Sequence, residues 1–68
     1  MTPRQKEYVD CLVWFFGKND QLPPAYVLAG MVGSTTNAAS EMMGRLEKMG
    51  VVEKNSLNKY KRGKNWPT

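Results

Sequence analysis

Histidine is absent from this 68-residue chain, and cysteine occurs once, as Cys11. One thiol cannot close an intrachain disulfide, and without imidazole the usual zinc sites and histidine acid–base chemistry are missing. No apolar run approaches the ~18 residues a membrane-spanning helix needs, and the opening "MTPRQKEYVD" shows no pattern of a secretory leader. No phosphate-cradling loop and no nucleophile with a base partner is present. These absences lead us to expect a soluble, cytoplasmic protein that is not an enzyme, with no metal site, no cofactor and no membrane partner. The length excludes a large core as well, because a domain this small buries only about 60% of the surface its unfolded chain exposes.

Acidic residues stop at Glu53. Up to that point five basic residues (Arg4, Lys6, Lys18, Arg45, Lys48) meet six acidic ones (Glu7, Asp10, Asp20, Glu41, Glu47, Glu53), a balance of −1. From Lys54 onward there are five basic residues (Lys54, Lys59, Lys61, Arg62, Lys64) and no acidic ones, which accounts for the net charge of +4. Such asymmetry suits a polyanion-binding end; a solvated basic tail is the plainer alternative, and charge alone leaves both open.

Local signals divide the chain into three helices and a hairpin. Thr2, Pro3 and Gln5 form an N-terminal cap with proline at the first helical position, predicting a helix from Pro3 to about Phe16, with Gly17 and the polar "KND" after it as stop residues. Pro23-Pro24 restarts the chain, and Val27, Leu28, Met31 and Val32 supply the apolar positions of a short helix over about 24–32. Gly33 ends it. Ser34-Thr35-Thr36 is a capping cluster, behind which Ala39, Met42, Leu46 and Met49 recur at three-four-three spacing on a helix of about thirteen residues. Met42, Met43, Leu46 and Met49 are expected in the core. "VVEK" and "KYKR", separated by the turn formers "NSLN", read as a small hairpin with Tyr60 facing inward. The tail, 63–68, is expected to be loosely held unless Trp66 docks.

Three helices followed by a hairpin give the expected fold class: mainly α, a winged helix-turn-helix domain over 1–62. Ala29 and Gly33, four apart, match the small residue and turn glycine that this motif asks for where the third helix crosses the second, and Ala39 is small again on the facing side.

"TPRQKEYVD", "LPP" and "NAASEMMGRLEKMGVVEK" together resemble the N-terminal DNA-binding domain of the LexA repressor family, over about residues 2 to 62 and most densely from Asn37 to Glu53. The resemblance implies a third helix whose start lies in the major groove of double-stranded DNA. Thr35, Asn37, Ala38 and Glu41 take the base-reading places, with Thr36 at the helix start beside them and Ser40 where the family has a glutamate. The chemistry is compatible, since asparagine pairs bidentately with adenine, glutamate accepts from cytosine N4 and alanine meets a thymine methyl. The wing, Lys54 to Arg62, would approach phosphates through Lys54, Lys59, Lys61 and Arg62, with Arg45 and Lys48 joining from the helix.

There are departures. The second helix and the turn before Thr35 are each about one residue short, and Gly44 and Arg45 replace the family's lysine and alanine, so a different target sequence is expected. The family's protease domain has no counterpart in these 68 residues, so self-cleavage is not expected of them. The plainer reading of Asn37 and Ser40 is a solvated helix face, and that of Glu41 and Arg45 an i,i+4 ion pair.

The run "CLVWFF", Cys11 to Phe16, is too apolar for one amphipathic face. Trp14 falls beside Asp10 and Lys18, where the helix should be wet. Val13, Trp14 and Phe15 are therefore candidates for an interface, with three possible covers: a second copy, the tail with Trp66, or another protein. A weak homodimer through the first helix is the expectation, and a partner-protein module docking there is the alternative to the DNA-binding reading. Cys11 is read as a small core hydrophobe.

Overall fold

The computed structural model describes residues 1–57 and 59–67. Its elements are α1 (Pro3–Asn19), α2 (Ala25–Val32), α3 (Thr36–Lys48), β1 (Val52–Lys54) and β2 (Tyr60–Arg62). The two strands pair antiparallel, so the chain is a mainly helical, winged helix-like domain, as its sequence predicts.

Thr2 caps α1 as expected: its hydroxyl accepts from the Gln5 N–H at 3.1 Å while the Gln5 side chain accepts from the Thr2 N–H at 3.0 Å. The end of α1 differs from expectation. The helix passes through Gly17 to Asn19 and closes on Asp20, which adopts the left-handed conformation at φ 57° and donates its N–H to the Phe16 carbonyl. Glycine within a helix costs only about 1 kcal/mol relative to alanine, so on its own it does not terminate one. Pro24 is the N-cap of α2 and not its first residue; its carbonyl accepts from Val27 and Leu28.

The core gathers Tyr8, Val9 and Leu12 from α1, Leu28 and Ala29 from α2, Ala39, Met42, Met43 and Leu46 from α3, and Val51 and Val52 at the start of the hairpin. Ala29 and Ala39 are both buried, as the crossing of α2 and α3 requires. Met49 is a correction: it caps the end of α3 and stays 37% exposed, because the helix has stopped before that turn can press it inward. In α2 the buried pair is Leu28 and Ala29, while Val27, Met31 and Val32 are only half-buried.

The tail is fastened more firmly than expected. The Gly63 N–H donates to the Val51 carbonyl at 2.9 Å, the Asn65 N–H to Gly50 at 2.8 Å, and the Asn65 side-chain amide to Met49 at 2.8 Å. These bonds bring Trp66 against Phe16, ring centroids 5.8 Å apart. Gly63 permits this approach, since a Cβ there would collide with the Gly50 carbonyl.

Substituting Gly63→Ala is expected to destabilise the fold by about 2 kcal/mol or more, through forced displacement of backbone. Gly30→Ala, in α2 where a Cβ meets nothing within 4 Å, is expected to stabilise it by about 0.5 to 1 kcal/mol. Thermal melts of the two variants against the parent check the opposite signs.

Candidate nucleic-acid interface

Position and orientation of α3 come from its two ends and its buried side. Gly33, at φ 72°, turns the chain out of α2, and the N–H groups of Gly33 and Ser34 both donate to the Ala29 carbonyl. Thr35 then caps α3 by accepting from the Ala38 N–H at 3.1 Å. Between these, the Tyr8 hydroxyl donates to Ser34 Oγ at 2.8 Å. The bond joins the buried face of α1 to the residue just before the cap of α3, so the elbow cannot swing without breaking it.

With Ala39, Met42, Met43 and Leu46 turned inward, Thr36, Asn37, Ala38, Ser40 and Glu41 are left exposed, as is Thr35 at the cap. Asn37, Ser40 and Glu41 make no side-chain hydrogen bond or ion pair among the described residues. The expected alternative of a Glu41–Arg45 pair is not formed: the ion pairs among those residues are Arg4–Glu7, Lys6–Asp10 and Glu53–Lys61. The base-reading candidates thus all lie exposed on the cap and the first two turns of α3 and are available to a ligand.

The basic candidates are divided by the pleat of the hairpin. Register pairs Val52 with Arg62, Glu53 with Lys61 and Lys54 with Tyr60. Alternation therefore puts Val52, Lys54, Tyr60 and Arg62 on the face that packs on the helices, and Glu53 and Lys61 on the outer face. On the inner face Lys54 Nζ lies 5.3 Å from the Tyr60 ring centre and the Arg62 guanidinium 4.4 Å from that of Phe16. On the outer face Lys61 reaches Glu53 at 3.7 Å. Lys59 carries neither kind of contact among the described residues. Arg45 and Lys48 are exposed on α3; together with Glu41, Gly44 and Glu47 they line an open depression there.

Two residues are added by the structure. Arg4 comes from the first turn of α1 to share a hollow of about 200 Å³ with Tyr8, Ala38, Glu41, Met42 and Arg45. Its guanidinium holds Glu7 at 2.7 Å and stacks over Tyr8 at 5.2 Å. Local sequence offers no signal for this, because α1 and α3 meet only in the fold. Leu57, 73% exposed in the loop of the hairpin, is the other; an apolar residue set among turn formers was a readable signal. Asn55 shapes that loop, its side-chain oxygen accepting from the N–H groups of Leu57 and Lys59. Asn58, in the predicted turn, lies outside the described residues.

Cys11 is half-buried, and burial, with the nearby carboxylates of Asp10 and Glu7, pushes its thiol above the ordinary range. The thiolate is scarcer at neutral pH as a result. No group of three or more cysteine, aspartate or glutamate side chains placed to hold a metal occurs among the described residues, and no helix is long and apolar enough to cross a membrane. No protein-family model and no curated protein matches the chain.

Tyr8→Phe and Ser34→Ala are each expected to lower stability by about 0.5 to 1.5 kcal/mol, and together by clearly less than the sum of the two. Denaturant unfolding of the single and double variants measures the coupling. Alkylation of Cys11 near neutral pH should run slower than that of an unhindered thiol and accelerate only at more alkaline pH, which a pH series with iodoacetamide checks.

Proposed function

We propose that this chain is a small sequence-specific binder of double-stranded DNA, acting as a transcriptional regulator of the repressor type in the cytoplasm, and not an enzyme. The observation that carries the reading is the first two turns of α3. Thr36, Asn37, Ala38, Ser40 and Glu41 stand exposed together, while the opposite side of the helix is fixed in the core and its entry is held by the Tyr8–Ser34 bond. These residues supply one amide, two hydroxyls, one carboxylate and two methyl groups, which between them can distinguish the four base pairs in a major groove.

Affinity on this reading comes from phosphates, and specificity from these residues. Lys59 and Arg45 are the cations best able to reach phosphate. Arg4 stands beside the helix start and would approach the backbone from the α1 side. Lys54, Lys61 and Arg62 must first give up or share contacts with Tyr60, Glu53 and Phe16. Leu57, exposed in the loop of the wing, would on this reading meet an adjacent groove edge. The likeness of Asn37-Ala38-Ala39 to the recognition-helix start of LexA-type domains supports the same assignment.

Selection from a random duplex library is expected to enrich one motif with the parent chain and none with Asn37→Ala. Lys59→Ala should keep the motif, bind it more weakly, and reduce the slope of log affinity against log salt by about one. Equal, motif-free binding by the parent and Asn37→Ala would overturn base reading and leave only attraction between a basic hairpin and phosphate.

A further inference from the structure

The run "CLVWFF" is only partly absorbed by the fold. Leu12 is wholly buried, Cys11, Val13, Phe15 and Phe16 are half-buried, and the tail accounts for Phe16 by laying Trp66 against it. Trp14 remains 59% exposed. Beside it a groove of about 500 Å³ runs between α1 and the tail, lined by Lys6, Val9, Asp10, Val13, Trp14 and Pro67 with Met1 at its end. An exposed indole thus borders an apolar groove on the same surface, which is the knob-and-hole arrangement that a two-fold contact requires.

Charge order along α1 selects the partner and its direction. Lys6 and Asp10 precede Trp14; Lys18 follows it, with Asp20 capping the helix end. When two copies of α1 cross antiparallel about the Val13–Trp14 step, Asp10 stands opposite Lys18 of the second copy and Lys18 opposite its Asp10, so that both pairs are of unlike sign. A parallel crossing sets Lys6 on Lys6, Asp10 on Asp10 and Lys18 on Lys18. Gly17 is an independent indication. It lies inside the helix, where glycine is the poorest residue after proline, and a Cβ there would meet nothing within 4 Å. Nothing in the chain itself needs its bare backbone, whereas Trp14 of an antiparallel second copy would lie against it.

We propose that this surface is a homodimer interface, in which two copies pack α1 antiparallel through the seam Lys6, Asp10, Val13, Trp14 and Gly17. The contact is weak. A standard interface takes about 800 Å² from each partner, and one helix seam plus a tail edge supplies less than that from the 4516 Å² this chain exposes. The interface stands apart from the exposed start of α3, and its existence does not depend on DNA binding.

Sedimentation velocity without DNA, from about 10 μM to about 1 mM, tests the proposal, with circular dichroism melts confirming that each variant folds. The parent chain is expected to shift from monomer to dimer across that range, and Trp14→Lys to remain monomeric. Asp10→Lys and Lys18→Asp should each weaken association by about three- to tenfold, and the two combined should restore it to near the parent value. A parent chain that stays monomeric throughout would overturn the proposal and leave the groove to a different partner. Association indifferent to Trp14→Lys would overturn the assigned surface. Failure of the combined charge exchange to restore what the single changes lose would overturn the antiparallel seam.

Discussion

Burial of the inner side of α3 is the constraint on which the rest of the structure depends. Ala39, Met43 and Leu46 are wholly enclosed and Met42 nearly so, held between α2 and the start of the hairpin. Each large side chain so enclosed contributes on the order of 1.5 to 3 kcal/mol. In a domain of this size that is a large share of net stability, which is typically no more than about 0.15 kcal/mol per residue. Since 3.6 residues make a turn, burying 39, 42, 43 and 46 commits 37, 38, 40, 41, 45 and 48 to solvent. The polar face follows from the core.

The second consequence of small size is seen in α1. A three-helix core of this volume has room for one side of a helix, yet α1 carries six consecutive apolar residues. The fold recruits its own tail to accommodate part of the excess. Gly63 and Asn65 fasten to the turn after α3, and this carries Trp66 to Phe16, where Arg62 also lies against the ring. The arrangement spends hydrogen bonds of the last residues on covering an aromatic face, and leaves Trp14 outside.

What could be read beforehand follows the range of the interactions responsible. The capping box of α1, the start of α3 at Thr36 and the hairpin pairing are local, set by residues three or four apart or by a short turn, and the sequence shows them directly. The close crossing of α2 and α3 was legible in Ala29, Gly33 and Ala39 because small residues at fixed spacing leave a trace. The end of α1 lies beyond the expected Phe16 because a single glycine is a weak penalty, and the helix runs through Gly17 to the cap at Asp20, three residues later. Met49 was misjudged because periodicity runs on past a helix end that only the cap determines. Arg4 beside α3 and the fastening of the tail depend on contacts between distant parts of the chain, so no local pattern announces them. The exposed candidates of the α3 start were legible as a group; their freedom from mutual pairing was not, since Glu41 and Arg45 have the spacing of an ion pair and do not make one.

Electrostatics of the wing then argue for a division of labour between strength and selectivity. The five basic residues from Lys54 onward overstate the attraction available to a polyanion, because Lys61 is matched by Glu53 across the strands and Lys54 and Arg62 lie over aromatic rings. Each of those contacts is worth only about 0.5 to 1 kcal/mol at an exposed site, less than a charge-assisted bond to phosphate at about 1.5 to 3 kcal/mol. They are weak enough to yield, but yielding has a cost that is the same for every sequence. On the proposed reading, non-specific binding is thereby held down, and the uncommitted amide, hydroxyl and carboxylate of Asn37, Ser40 and Glu41 decide where the protein stays. A small domain with few phosphate contacts gains most from this balance, since its selectivity depends on specific contacts outweighing a background that its basic residues would otherwise raise.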